Sequence, residues 1–406
     1  MIFEFEEAPA RNARMRVVGV GGAGGNAVNR MVDEDLEGVE FISANTDAQA
    51  LKSSRAQMTI QLGKKLTRGL GAGARPEIGR QAIAESEEEV RRSLEGADLV
   101  FITAGMGGGT GTGAAPIIGD IARELGALTI GIVTRPFAFE GKKRARQADQ
   151  GLAELRRSVD TMIVVPNDRI LSVVGKGTSF KDALKKADEV LLNATQGISD
   201  LIRVTGEINV DFADVRTVMA CRGAALMSSG FGEGEHRAQE AAQEAISSPL
   251  LDEVSIKGAR GVLINVTGGL DLALDEVSDV ASIIQEEAGD DAEVIFGAVH
   301  NPELEGKLRV TVIATGFESE QDEQVLRPDF RGSPGRGTPS SSSRRSEPRE
   351  EEAQKPRLRR RAVGDDGPTA DSHQEVMPFN RPPERKVEPS QIDNLDIPTF
   401  IRRQMD

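Results

Sequence analysis

From residue 16 onward, short apolar runs alternate with longer amphipathic segments. RVVGV (16–20), VEFISAN (39–45), DLVFITAG (98–105), LTIGIVTRPF (128–137) and TMIVVPND (161–168) predict strands. NAVNRMVDEDL (26–36), AAPIIGDIARELG (114–126) and the stretch around 141–159 predict helices between them. The strands are almost wholly apolar, as expected of a parallel sheet covered by helices on both faces. Alternation of this kind predicts a doubly wound α/β domain. A long helical pattern without internal proline follows over 179–203 and suits a spine between two domains. Beyond it, GVLINVTGG (261–269), AEVIFGAV (292–299) and KLRVTVIATG (307–316) read as strands, with helices near 235–247 and 275–288. These form a second, smaller α/β unit.

The pattern stops near Glu318. Ten of the chain's 18 prolines lie between Glu318 and Ser390, beside SSSSRRS and mixed charge runs. Such a segment buries too little apolar surface to offset its chain entropy and is expected to be a disordered linker. Apolar residues return in IDNLDIPTFIRRQMD (392–406), which reads as a docking peptide on a tether or as a fraying end. Two domains fit comfortably in 406 residues. A formal charge of −15 argues against nucleic acid as the main partner. The single cysteine, Cys221, forms no internal disulfide, and neither a signal peptide nor a membrane-spanning run is present in the sequence. The expectation is a soluble, cytoplasmic protein.

Two glycine-rich loops follow strands and open helices. The first runs Gly19-Val-Gly21-Gly22-Ala23-Gly24-Gly25-Asn26 and contains a G-x-G-x-x-G match. Alone it fits a dinucleotide-binding turn or a plain strand-to-helix turn. The second, Gly105-Met-Gly107-Gly108-Gly109-Thr110-Gly111-Thr112-Gly113, is more specific. Five of the seven residues from Gly107 to Gly113 lack a side chain. Consecutive amides can then face one concavity, with the hydroxyls of Thr110 and Thr112 as further donors for phosphate oxygens. No G-x-x-x-x-G-K-[ST] occurs, so the chain is not a P-loop enzyme. One cysteine and three scattered histidines build neither a zinc site nor a hydrolase triad.

GGGTGTG resembles the glycine signature of the tubulin/FtsZ superfamily. ANTDAQAL (44–51), GLGAGARPEIG (69–79), TRPFAFEGKKR (134–144) and VPNDRI (165–170) resemble successive nucleotide-contacting loops of the FtsZ family, in order. INVDFADVRTVM (208–219) resembles its catalytic loop, and LDIPTFIRRQ (395–404) its docking peptide. The resemblance implies a tubulin-like, Rossmann-type GTP-binding α/β domain with a parallel sheet over 14–178, after a flexible N-terminus over 1–13. A long central helix and connection over 179–208 and a smaller α/β domain over 209–317 come next. The disordered linker then covers 318–390 and the partner-binding tail 391–406.

Carried over position by position, the resemblance places Gly21, Gly22, Ala23, Gly24, Gly25 and Asn26 at the α- and β-phosphates. Asn45, Asp47, Ala72 and Gly73 would lie near the γ-phosphate and a Mg²⁺ held mainly by phosphates and water, with no direct protein ligand. Gly108, Gly109, Thr110 and Gly111 would form the main cradle, with Thr134 beside it. Glu140 and Arg144 look like the ribose-side pair. Asn167 and Asp188 look like the guanine readers, with Leu184 against the base. A carboxylate at 188 is suited to accept from the N1–H and N2–H₂ edge of guanine. Without the family, Asp188 also reads as part of a solvated helix face.

Asn209, Asp211 and Asp214 precede a helical run, where an acid commonly caps free N–H groups. The resemblance gives them another role: inserting into a neighbouring subunit's nucleotide site, with Asp211 and Asp214 polarising the attacking water and Asn209 orienting nearby groups. It implies a head-to-tail homopolymer forming a division-ring scaffold at the inner face of the membrane at midcell. GTP/GDP and Mg²⁺ would be its cofactors. Asp396, Ile397, Pro398, Phe400 and Ile401 would bind membrane-tethering and regulatory division proteins, Arg402 and Arg403 adding charge, without direct membrane insertion.

Three stretches depart from the family pattern. Leu184 replaces an aromatic that stacks on guanine, a contact worth roughly 1–3 kcal/mol. MACRGAALMSSG (219–230) and RARQADQG (144–151) also differ. A divergent paralogue that binds GTP and co-assembles with little hydrolysis is therefore the competing reading. A nicotinamide dehydrogenase, suggested by the first loop and Asp47, leaves the second glycine run unexplained.

Overall fold

The computed structural model describes residues 13–173, 179–203, 210–220, 223–248 and 256–317. The linker, the tail residues 396–403, Asn209 and Cys221 lie outside the described residues. The first half runs β1 (Met15–Val20), α1 (Gly21–Asp33), β2 (Val39–Asn45), α2 (Ala48–Lys52), β3 (Met58–Gln61) and α3 (Lys64–Thr67). It continues through α4 (Pro76–Leu94), β4 (Leu99–Gly105), α5 (Thr110–Glu124), β5 (Leu128–Arg135), α6 (Lys142–Ser158), β6 (Thr161–Pro166) and α7 (Asn167–Val173). The spine is α8 (Phe180–Arg203), whose 24 residues extend about 36 Å. After it come α9 (Phe212–Met219), β7 (Gly223–Glu233), α10 (Arg237–Ile246), β8 (Gly261–Gly268), α11 (Leu274–Ala288), β9 (Glu293–His300) and β10 (Lys307–Thr315).

Among the described residues one ten-stranded sheet runs β3-β2-β1-β4-β5-β6-β7-β10-β8-β9. Neighbours from β3 to β7 pair in parallel, as do β8 and β9, while β10 is antiparallel to both β7 and β8. The fold is therefore α/β with a mostly parallel sheet, as expected. What the sequence reading missed is β7, which joins the halves. Its first residues pair with β6 (Ile163 opposite Ala225), and the remainder pairs with β10.

Helices cover both faces of the nucleotide-side sheet. Val17, Phe41, Phe101 and Ile132 point to one face, where α1 supplies Val28 and Met31 and α8 supplies Leu191, Ile198 and Leu201. Val18, Ile42, Val100 and Ile102 point to the other, under Ile83 and Val90 of α4, Ile118 of α5 and Leu155 of α6. That period-two division along β1, β2 and β4 is why their sequences are apolar throughout. A third cluster, including Ala241, Ile264, Val280 and Val312, packs α10 and α11 on the second half. Arg237, buried there, donates to both Glu276 oxygens (2.6 and 2.8 Å) and to Asp271 Oδ2 (2.6 Å). These bonds hold its pKa above the ordinary arginine value and depress both carboxyls. Among the described residues, no helix is long and apolar enough to cross a membrane.

Candidate nucleotide site

Both glycine loops turn out to be helix starts. α1 begins at Gly21 rather than 26, and α5 at Thr110 rather than 114. Glycine's poor helix propensity concealed both beginnings. Neither helix has a side-chain cap bond or an acid in its first turn. By contrast α2 is capped by Asp47 and α9 by Asp211. The free first-turn N–H groups of α1 and α5 thus retain their donors and their positive end charge, the arrangement that binds phosphate.

The glycines of the second run serve two purposes. A Cβ on Gly113 would collide with the Pro76 carbonyl oxygen, so this glycine lets α4 and α5 touch. Gly107 has φ +89°, which favours glycine. Gly108 and Gly22 are different: a Cβ at Gly108 would meet nothing closer than 4.0 Å, and one at Gly22 nothing within 4 Å. Those two face open space. The two loops also meet, since a Cβ on Gly21 would lie 3.0 Å from the Gly111 nitrogen. Thr112 corrects an expectation. Its Oγ1 accepts the Gly107 N–H at 2.9 Å and the side chain is buried, so only Thr110 of the two threonines reaches the cleft.

The cleft occupies about 350 Å³ at the carboxyl ends of β1, β4, β5 and β6, where open α/β sheets bind ligands. Gly22, Ala23 and the run from Gly108 to Gly111 line the end formed by the starts of α1 and α5. Asn45, Asp47 and Ala72 line one wall, and Thr134, Glu140 and Arg144 another. Asn167 and Leu184 close the far end. Six expected residues are not in this lining. Gly21 and Gly24 pack against neighbouring backbone, and Gly25 lies beside Ser43. Asn26 is exposed on α1, Gly73 sits in the loop before α4, and Asp188 is one turn beyond Leu184. Met106, Pro136, Ala50 and Ala74 line the cleft without having been singled out. All four lie inside the quoted motifs, and their apolar side chains gave no further signal.

Several polar groups are already fixed. Asp47 Oδ1 accepts from Gln49 N–H at 2.8 Å and from Ala50 N–H at 3.3 Å. Thr46 and Thr110 hydroxyls share a 2.6 Å bond across the two walls. Glu140 accepts from Phe137 N–H at 2.8 Å and pairs with Arg144 at 2.9 Å. Asn167 is 7% exposed and its Oδ1 has no partner, an orphaned acceptor at the far end of the cleft. Asp188 faces α1. Burial pushes its carboxyl up to about 6, with the Arg30 guanidinium partly countering.

Asp211 and Asp214 stand elsewhere. Asp211 Oδ1 accepts the Asp214 N–H at 2.8 Å, so Asp211 does cap α9. Arg216 of α9 donates to the Gly126 carbonyl, at the C-terminal end of α5, and Thr161 donates to the Met219 carbonyl. α9 therefore sits at the start of β6 and the end of α5, whereas the cleft is at the opposite end of both. The 15 residues of α5 span about 22 Å. Both acids are exposed and neither lines the cleft of its own subunit.

Residues 14–175 match the model of the tubulin/FtsZ family GTPase domain, and residues 223–318 that of the FtsZ family C-terminal domain. Among solved structures, an empty FtsZ dimer from M. jannaschii aligns at 45% identity and a TM-score of 0.73, covering 76% of this chain and 89% of that one. CetZ2 from Haloferax volcanii, a GTPγS-bound protofilament, aligns at 24% identity and a TM-score of 0.65, covering 77% and 96%. The second likeness concerns the fold alone.

Proposed function

The chain belongs to the tubulin/FtsZ family, and we propose that it is a GTPase that polymerises head to tail and scaffolds the ring at a bacterial division site. One observation carries this reading. The acids of α9 are held at the end of α5 opposite to the phosphate-facing N–H groups. The cleft's own two acids, Asp47 and Glu140, are engaged in capping α2 and in the pair with Arg144, so exposed acids from the opposite end of another copy complement it. Such a contact is heterologous and propagates into an open filament. The similar FtsZ from M. jannaschii was solved as a dimer, which supports self-association.

In this reading the first-turn N–H groups of α1 and α5 hold the phosphates. Asn167 Oδ1 gains the base as a partner. Asp47, whose Oδ1 caps α2, lines the wall where Mg²⁺, carried by phosphates and water, would offset the charge that develops on the γ-phosphoryl group. Asp211 and Asp214 of the next subunit then position the attacking water, with Asn209 beside them. Phosphoryl transfer depends mainly on positioning and charge stabilisation, so one subunit alone turns over little. The domain limits expected from the sequence and the tail's docking of membrane-tethering and regulatory proteins at midcell belong to the same proposal.

A second reading has its own observation. Leu184 is 40% exposed in the cleft, and no aromatic side chain is among the cleft-lining residues. A base held without stacking favours a paralogue that co-assembles with slow hydrolysis. Sedimentation with phosphate release measured in the same tubes, across a concentration series with Mg²⁺ and a GDP control, separates the two. Pelleting and turnover above one critical concentration support the shared site. Polymer without phosphate release supports the paralogue, and neither would remove both.

A further inference from the structure

The two hydroxyls that meet across the cleft are differently placed. Thr110, the first residue of α5, lines the cleft. Thr46 does not: it stands between Asn45 and Asp47, which do line the wall, and its own side chain is wholly buried. Its backbone is held by the loop over 67–71. The Thr46 carbonyl accepts the Thr67 hydroxyl at 3.2 Å and the Gly71 N–H at 3.3 Å. Thr67 is buried in turn, and its hydroxyl also lies 3.1 Å from the Gly63 carbonyl. Thr46 is thus fixed in place and presents one polar side-chain atom, 2.6 Å from Thr110 Oγ1.

A hydroxyl owns a single proton and can accept as well as donate. In the nucleotide-free protein the bond can therefore run from Thr46 to Thr110 or the reverse. An ionised phosphate oxygen only accepts. A phosphate at the start of α5 takes the Thr110 proton, which leaves Thr110 Oγ1 as the acceptor and Thr46 as the donor. Both bonds then point the same way, from Thr46 through Thr110 to the phosphate, and each polarises the other.

We propose that Thr46 is a positioning residue of the nucleotide site: it donates to Thr110 Oγ1 and so turns the Thr110 proton toward a phosphate oxygen. Thr46 itself touches no part of the nucleotide. The inference rests on the GTP-binding reading, since it names how one donor of that cradle is aimed. A bond that merely tied the two walls together would matter whatever residue stood at 110. A bond that aims the Thr110 proton matters only while Thr110 has a hydroxyl. That difference is measurable.

The test is a double-mutant cycle on the full chain. It reads GTP affinity of the nucleotide-free protein below its assembly concentration, with a melting curve for each variant. Thr46→Val keeps the branched shape and removes the donor; it should bind GTP about three- to tenfold more weakly, the loss of one hydrogen bond. Thr110→Val loses the bond to phosphate itself and should cost at least about tenfold. Adding Thr46→Val to Thr110→Val should change affinity by less than about twofold, because nothing is left to aim. Thr46→Ser restores a donor and should stay within about twofold of wild type. Thr46→Ala carries the same prediction as the valine variant and replaces it should valine fail to fold. Wild-type affinity in folded Thr46→Val or Thr46→Ala overturns the proposal, and so does an equal loss with and without the Thr110 hydroxyl. Either result leaves the GTPase reading standing, whereas a wild-type chain that binds no GTP would remove both.

Discussion

Arg216 Nη2 lies 2.7 Å from the carbonyl oxygen of Gly126, and this one bond ties the acid-bearing helix α9 to the end of α5 farthest from the cleft. A helix C-terminus carries unpaired carbonyls and a negative partial charge, both of which a guanidinium answers. The same Arg216 lies 5.8 Å from the Phe212 ring centroid. Arg216→Ala therefore loosens the mounting of α9 while leaving the cleft intact. GTP affinity should stay within about twofold and assembly-linked phosphate release should fall several-fold. Equilibrium dialysis and a phosphate assay on one preparation distinguish the two effects.

Capping and chemistry are separable at Asp211 and Asp214. Asp211 bonds the Asp214 N–H, while Asp214 has no such structural duty in its own subunit. Asn caps about as well as Asp. Asp211→Asn should thus keep the melting temperature and lose turnover, whereas Asp211→Ala should also lose about 1 kcal/mol of stability. Asp214→Ala should retain GTP binding and stability but release phosphate at least about tenfold more slowly. Wild-type turnover by Asp214→Ala would sink the shared-site reading.

Asn167 offers a cleaner probe of the base end. Its Oδ1 is buried without a partner in the nucleotide-free protein, so removing it costs the free protein little. Asn167→Ala should weaken GTP about tenfold, the scale of one buried hydrogen bond, and shift the nucleotide-free melting temperature by less than GTP normally raises it. Equal affinity of variant and wild type would show that the base does not lie against α7.

The sheet was readable because both-face burial writes itself as unbroken apolar runs, and β2 matched to the residue. α4 was not readable. Its buried stripe includes Gly79, Ala82, Ser86 and Ser93, so small residues replace the large apolar ones that mark a helix. Gly79 is small because α4 meets the start of α5 there, and Ala82 and Ser86 are small because they stand against Gly63. β7 (GAALMSSGFGE) escaped for a similar reason: Gly230 sits against the Ala241 carbonyl, where a larger residue would not fit. The cleft's glycine loops were legible as chemistry but not as helix starts. Asp188 was legible as a carboxylate in a motif, yet nothing local predicted its burial against Arg30, which arises from α1 packing on α8.

That burial gives a pH dependence with a definite sign. The Asp188 carboxyl rises from 3.8 to about 6, and Asp200, likewise buried on α8, also reaches about 6. A raised carboxyl binds its proton more tightly in the folded state. The stability it contributes is therefore complete below about 3.8 and is lost as pH rises through about 6. Nucleotide-free Asp188→Asn should be more stable than wild type at pH 7.5 by on the order of 1 kcal/mol, and less so at pH 5.5. On the proposed role of Asp188 in reading guanine the ionised carboxylate is required, so wild-type GTP affinity should fall as pH drops below 6 and Asp188→Asn should lose that dependence. An affinity flat across this range would remove Asp188 from base recognition. Melting curves and GTP titrations at both values test each half.

Gly108 and Gly113 are five residues apart in one motif, but the structure gives them opposite reasons to lack a side chain. At Gly113 the space is taken by the Pro76 carbonyl, so Gly113→Ala must push α4 from α5. Forcing a methyl group into such a contact costs typically 1–3 kcal/mol. At Gly108 the nearest atom to a Cβ is the Gly105 oxygen at 4.0 Å, so the free protein accommodates alanine there. The space a side chain at 108 would enter belongs to the cleft, where the proposed phosphates would lie. Gly108→Ala should therefore melt within about 1 °C of wild type yet bind GTP at least about tenfold more weakly. Gly113→Ala should melt several degrees lower, with GTP binding reduced only as far as the fold is lost. If Gly108→Ala binds GTP normally, the phosphates do not lie over the start of α5, and the cradle must be sought at α1 alone.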